Sequence, residues 1–193
     1  AGFLEAVQAQ RAFVAGYSFG GSVAIKLAAA HPELVAKLVL IGGGTAHLPT
    51  LFGSTPYEGN KGLNDFTREP THENFLRAFH LFVQDPACYE PGFLEGLWQQ
   101  LSAPSPQTDA VEPRPLSTPA SGPEDLAADA KKIQAPTLVV RGRDDRFQPL
   151  DQGLTALTLI PDSRLHVFAK CGHWVQYEKA AEFNDLCDFF LSR

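Results

Sequence analysis

The run Arg11-Ala-Phe-Val-Ala-Gly16-Tyr17-Ser18-Phe19-Gly20-Gly21-Ser-Val-Ala-Ile-Lys-Leu-Ala-Ala-Ala30 sets one serine between two glycines, where a short apolar strand meets a helix. A strand that enters a helix through one tight turn holds the serine in a strained backbone conformation. It needs tiny residues two positions to either side, the places of Gly16 and Gly20. The hydroxyl then stands above the sheet, and the next backbone N–H, that of Phe19, points where an oxyanion would form. Glycine and serine are common, so the pattern alone also fits an ordinary glycine-rich turn. The strand and helix on its flanks make Ser18 a candidate nucleophile.

Such a serine needs a base and an acid to orient it, and after a nucleophile elbow they follow in the order acid, then histidine. Ala135-Pro-Thr-Leu-Val-Val-Arg141 reads as a strand that ends in Gly142-Arg-Asp144-Asp145-Arg-Phe147-Gln-Pro149. A carboxylate there sits at the carboxyl end of a parallel strand, where open α/β sheets bind ligands. Arg164-Leu-His-Val-Phe-Ala169 reads as another strand, ending in Lys170-Cys-Gly-His173-Trp174. His173 is therefore the histidine placed to act as base. His31 at a helix end, His72 and His80 on an insert helix, His166 within a strand and His47 after a glycine run read as structural.

The chain of 193 residues, 44% hydrophobic and 20% charged, can bury one sizeable core. A net charge of -6 without clustered Lys and Arg argues against nucleic acid as a partner. Cys88, Cys171 and Cys187 are odd in number and lack C-x-x-C spacing, which reads as reduced thiols in a cytoplasmic compartment and no zinc site. No apolar run has the length of a membrane span, so no membrane partner is expected, and the first residues do not read as a signal peptide. The chain has no methionine, and its serine arrives at position 18, whereas an α/β hydrolase sheet sets several strands before the elbow. Together these predict an incomplete chain, with N-terminal strands missing that amount to roughly 80 to 100 residues. The missing part would include the loop that donates the second oxyanion-hole N–H.

Three parts are expected along the chain. Residues 1–44 form the first part of an α/β core: a helix end, the elbow, and a strand over Val35–Ile41. Residues 45–133 form a helical lid insert, too long for a loop without a purpose. Residues 134–193 return to the core with the acid strand, a helix over 150–159, the histidine strand and a closing helix over 180–191. In that last helix Phe183, Leu186, Cys187 and Phe190 repeat at helical spacing and should pack on the sheet. In the insert, Thr71 caps a helix with Glu73 in its first turn, and Phe75, Phe79 and Phe82 form a stripe that reads first as packing. Over an active site, packing and pocket lining can be one face. A second lid helix runs from Gly92 to Leu101, and Ser102–Pro123, with six prolines, cannot be a regular helix.

The stretches Gly142-Arg-Asp-Asp-Arg-Phe-Gln-Pro-Leu-Asp151, Ser163-Arg-Leu-His-Val-Phe-Ala-Lys-Cys-Gly-His-Trp-Val-Gln176 and Glu182-Phe-Asn184 resemble the meta-cleavage product hydrolases of the α/β-hydrolase superfamily. The lid segments Glu69-Pro-Thr-His-Glu-Asn74 and Phe82-Val-Gln-Asp85 are similar too, and the likeness covers the chain except Ser102–Pro123. The aspartate-to-histidine stretch is specific to this group, whereas the elbow fits any superfamily member. The resemblance implies a mostly parallel sheet with helices on both faces. It implies Ser18 as nucleophile, Asp145 as orienting acid, His173 as base and the Phe19 amide in the oxyanion hole. Phe147 and Trp174 would line the pocket, joined by Phe82, Leu97 and Tyr17. The implied substrates are small molecules, 2-hydroxy-6-oxo-hexa-2,4-dienoates from aromatic catabolism, cut at a carbon–carbon bond without a cofactor; homo-oligomerisation of the complete protein stays open.

Two positions depart from that family. Tyr17 stands where relatives place Asn, and Leu97 where they place a lid arginine that meets the dienoate carboxylate. Losing such a contact removes about 1.5 to 3 kcal/mol unless Arg68, Arg77 or Arg114 replaces it. The alternatives are a carboxylesterase on the same Ser-Asp-His triad, or an inactive fragment or binding remnant of such an enzyme.

Overall fold

The structure, a computed structural model, describes residues 1–43, 58–103 and 123–193. Four parallel strands form the sheet: β1 (Ala12–Tyr17), β2 (Val35–Ile41), β3 (Thr137–Gly142) and β4 (Ser163–Phe168), in the order β1-β2-β3-β4. Ala15 pairs with Val39, Leu40 with Val139 and Val140 with His166. The central strands are runs of Val, Leu and Ile because both of their faces are covered, which is the sequence mark of a buried parallel sheet. Period-two alternation divides them. Leu38, Leu40 and Val139 join Ile25, Leu126, Ile133 and Ile160 in one core layer, and Val39, Ile41, Leu138 and Val140 join Phe168, Val175, Phe183 and Phe190 in the other.

Helices cover both faces. Helix α1 (Gly2–Ala6) precedes β1, and α2 (Phe19–Ala30) follows the elbow and ends before a 3-10 turn at Pro32–Leu34. The insert supplies α3 (Glu58–Arg68), α4 (His72–His80) and α5 (Phe93–Ser102), followed by α6 (Pro123–Ala130). The second core part supplies α7 (Asp151–Leu159), the single turn α8 (Val175–Glu178) and α9 (Ala180–Leu191). In α9, Phe183 and Phe190 are buried and Leu186 and Cys187 pack beside them, as the spacing predicts.

Three local features differ from the sequence reading. Helix α3 has no counterpart in it, because two glycines and a mean polarity hide an amphipathic helix whose Gly59 and Gly62 face inward. Residues up to 133 were expected in the insert, yet α6 packs on α2, and Leu126, Ala130 and Ile133 lie in the core layer with Ile25. Strand β3 begins at Thr137, two residues later than expected, since Pro136 cannot donate to the ladder, and its carbonyl accepts from Leu38 instead. The proline-rich reading of 102–123 falls largely outside the described residues, as do His47 and Arg114.

Candidate active site

The elbow forms as the motif demands. Ser18 has φ 50° and ψ -121°, a conformation non-glycine residues rarely adopt, and it persists because backbone on every side fixes it. Its N–H donates to the Ile41 carbonyl at the end of β2, and its carbonyl accepts from Gly21. A Cβ on Gly16 would lie 2.6 Å from the Gly20 carbonyl oxygen and 2.7 Å from the Gly21 Cα, so that glycine is sterically required. Gly20 is not: an added Cβ meets nothing there, contrary to the symmetric expectation. The second required glycine is Gly43, unsuspected from sequence, whose Cβ would strike the Ser18 backbone. Phe19 is the first residue of α2, so its N–H is one of those a helix leaves without an intrahelical acceptor, while its side chain is exposed.

Asp145 and His173 arrive on the loops after β3 and β4. His173 Nδ1 lies 2.8 Å from Asp145 Oδ2, and His173 Nε2 lies 3.2 Å from Ser18 Oγ. Both the His173 and Asp145 side chains are 1% exposed. Asp145 Oδ1 also accepts from the Phe147 and Gln148 N–H groups at 2.7 and 3.0 Å, which locks the carboxylate's orientation. An acceptor on Nδ1 puts the ring proton there and leaves Nε2 to accept from the serine hydroxyl. The neighbouring Asp144 turns away to Arg143, whose guanidinium holds its carboxyl below the usual range.

Aromatic rings wall this trio. The Phe147 ring centre is 4.9 Å from that of His173, Tyr17 is at 5.2 Å and Phe82 at 5.7 Å. The Phe82 ring in turn lies tilted against Phe147 at 4.2 Å and Trp174 at 5.0 Å. Burial, with the Asp145 carboxylate second, pushes the Tyr17 phenol far above its usual range, so Tyr17 enters the site as a neutral hydroxyl. Of the phenylalanine stripe, Phe75 is buried inside the insert against Phe66, Phe79 and Trp98, whereas Phe82 reaches the His173 ring. Leu97 is half-buried on α5, which packs on α4. Arg77 is turned to Glu73 at the surface, and Arg68 is exposed at the end of α3.

Sequence reasoning passed over two charged residues. Arg141, fully buried on β3, donates to the Gln148 side-chain oxygen and to the Gln148 and Pro149 carbonyls, and so holds the loop that carries Asp145. An arginine closing an apolar buried strand was the available signal. Glu178 accepts from the Gly172 N–H beside His173, and nothing in its sequence setting marks it. The insert is fastened to the acid loop as well: the Gly59 N–H donates to the Arg146 carbonyl, and the Asn60 amide to that of Phe147. Among the described residues no group of three or more His, Cys, Asp or Glu side chains could hold a metal ion, and no helix is long and apolar enough to cross a membrane.

Comparisons with known proteins give the family. Residues 2–180 match the alpha/beta hydrolase fold family. The chain is 38% identical over 192 residues to a 2-hydroxy-6-oxononadienedioate/2-hydroxy-6-oxononatrienedioate hydrolase of Cupriavidus pinatubonensis, covering 98% of this chain and 65% of that protein. A hydrolase of the same name from Pseudomonas putida is 42% identical over 191 residues, covering 98% of this chain and 66% of the relative. In three dimensions the meta-cleavage product hydrolase CumD of Pseudomonas fluorescens superposes with a TM-score of 0.80 at 26% identity, covering 99% of this chain and 68% of that one. The chain thus spans about two thirds of the length of the curated relatives it matches. It belongs to the alpha/beta hydrolase family, in which it is similar to meta-cleavage product hydrolases.

Proposed function

We propose that the protein to which this chain belongs hydrolyses a carbon–carbon bond in 2-hydroxy-6-oxo-hexa-2,4-dienoates, with Ser18 as nucleophile, His173 as base and Asp145 as orienting acid. The observation that carries the proposal is the continuous hydrogen-bond chain from Ser18 through His173 to Asp145, closed off from water at the base and acid. The substrate class is drawn from the relatives, named as dienedioate and trienedioate hydrolases.

In the proposed sequence the dienol is first converted to its keto form by proton transfer, which makes the scissile bond a vinylogous analogue of a β-diketone link. His173 then takes the Ser18 proton as Oγ attacks the 6-oxo carbon, and the Phe19 amide donates to the resulting oxyanion. Collapse breaks the bond between the 6-oxo carbon and its dienoate neighbour. His173 returns the proton to the departing carbon, which leaves as 2-hydroxypenta-2,4-dienoate, while the acyl group stays behind as an ester on Ser18. Water, deprotonated by His173, releases the carboxylic acid and restores the serine. Asp145 keeps the proton on Nδ1 and stabilises the imidazolium that forms in each half. Tyr17, Phe82, Phe147 and Trp174 line the apolar part of the pocket, with Leu97 from the lid, and the reaction takes place in the cytoplasm.

The carboxylesterase reading keeps one specific observation in its favour: Leu97 replaces the arginine expected for a carboxylate, and Arg77 is committed to Glu73. Offering the full-length protein a chromogenic dienoate and a p-nitrophenyl ester decides between them. Dienoate turnover at a kcat/KM well above that for the ester is expected. Ester turnover alone moves the assignment to a carboxylesterase, and inertness toward both moves it to a non-catalytic remnant.

A further inference from the structure

Glu178 sets one carboxylate between two backbone segments that lie far apart in sequence. Its Oε1 accepts from the N–H of Gly172, the residue before His173, at 2.6 Å. Its Oε2 accepts from the N–H of Gln84, two residues past Phe82 and 94 residues away along the chain, at 2.7 Å. The two segments also bond each other directly: the Phe82 carbonyl accepts from the His173 N–H at 2.8 Å and the Trp174 N–H at 3.0 Å. Contact is so close that a Cβ on Gly172 would lie 2.9 Å from both the Phe82 carbonyl oxygen and the Gln84 nitrogen. Beside this clasp lies the buried Cys171 thiol, 3.7 Å from Oε1, which burial and the Glu178 charge push up to about 12. It stays a neutral thiol and donates to Oε1 beside the Gly172 N–H, so the carboxylate keeps its charge and accepts from both amides.

We infer that Glu178 is a positioning residue that holds the base loop and the root of the lid as one unit, so that His173 is aligned on Ser18 only when Phe82 is seated against it. This rests on the reading of His173 as base. A carboxylate bonded by two N–H groups, one on each oxygen, makes stronger bonds than a neutral acceptor and cannot be matched by an amide of the same shape. Glutamine offers one carbonyl oxygen and one NH2, so either Gly172 or Gln84 would face a second donor. The position of Glu178 on α8, outside both segments it joins, makes the carboxylate a clasp and not a local turn contact.

The test compares the full-length parent with Glu178→Gln. A fluorophosphonate probe reports the base directly, because Ser18 displaces fluoride from phosphorus as its proton passes to His173. Labelling of the variant is expected to slow by roughly ten- to a hundredfold, the loss of a charge-assisted bond expressed as a rate. On a dienoate, kcat should fall and KM should rise together, because base and lid root are released at once. Amide hydrogen exchange on the parent should protect Gly172, His173, Trp174 and Gln84 as one group. The variant should lose that protection at all four while the helical amides of α2 and α9 keep theirs. An unchanged labelling rate, or a parent in which Gln84 exchanges while Gly172–Trp174 stay protected, overturns the inference. A parent that resists the probe rejects the triad reading instead. If the variant does not fold, the exchange pattern of the parent alone decides.

Discussion

The elbow and the lid fasten their parts in opposite ways. The Ser18 main chain is held chiefly by backbone: a positive φ, a hydrogen bond to Ile41, and two glycines so closely packed that neither Gly16 nor Gly43 has room for a methyl group. The insert is tied to the core by a few backbone bonds, at Gly59 and Phe82, and is otherwise fixed by side chains. Phe66, Phe75, Phe79 and Trp98 meet ring to ring within it, and Phe82 continues the contact to Phe147 and His173. Backbone packing of the first kind is over-determined and rigid, because interiors tolerate little change of volume. Ring packing of the second kind has several partners for each side chain and yields by small steps. The proposed hydrolysis would use both, an immovable nucleophile and a cover that can shift to admit substrate.

The largest effect that this contrast leads us to expect lies at the base. His173→Ala should lower cleavage by about 10⁴- to 10⁶-fold and slow the enol-to-keto step too, since both steps move protons through the same ring. Stopped-flow absorbance of the dienol resolves the two phases; unimpaired ketonisation would place that step on another residue.

Paired glycine substitutions sharpen the contrast next. Gly43→Ala drives a methyl into the Ser18 backbone and should destabilise the protein by about 1–3 kcal/mol, with activity lost beyond the stability change. Gly96→Ala, in the middle of α5 with open space around it, should stabilise by about 0.5–1 kcal/mol and leave turnover unchanged. Denaturant melts and steady-state rates of the two variants check both signs. Equal effects at the two sites would erase the distinction between elbow and lid.

Much of this was legible in the sequence where local chemistry dictates geometry. The elbow needs a small residue before its serine, and Gly16 states that need; Asp145 and His173 stand on the loops that follow apolar strands, where side chains leave the sheet. Contacts between distant segments left no local mark. Gly43 is required because Ser18 lies against it across β1 and β2, and Glu178 matters because Gln84 is folded next to Gly172. Helix α3 stayed hidden because its polar, glycine-containing sequence gains stability from Phe147 beneath Gly59 rather than from its own propensity.

Smaller effects belong to the lid's edge and the surface. Phe82→Ala should raise KM by roughly tenfold with a lesser fall in kcat, from ring pairs worth about 0.5–1.5 kcal/mol each. A fall in kcat with KM unchanged would make Phe82 part of base alignment alone. Smallest is Asp129, which bonds Lys132 within its own turn and Lys26 on α2. The Lys132 bond, with Lys26 adding to it, holds its carboxyl below the usual range. A depressed folded-state value means that the contribution is present above the ordinary carboxylate range and is lost as pH falls through the lowered one. Asp129→Asn should therefore cost less than about 1 kcal/mol in a urea melt at neutral pH. The difference should shrink as pH falls through the lowered range of the parent carboxylate and vanish once that carboxylate is protonated.

The central claim is that Ser18 attacks the 6-oxo carbon after the dienol has become a ketone, and one measurement addresses it directly. Full-length protein carrying Ser18→Ala, mixed with dienoate in a stopped-flow spectrometer, should bleach the dienol as the keto form accumulates, with no carboxylic acid released over many parental turnover times. Cleavage by Ser18→Ala at the parental rate would contradict the account.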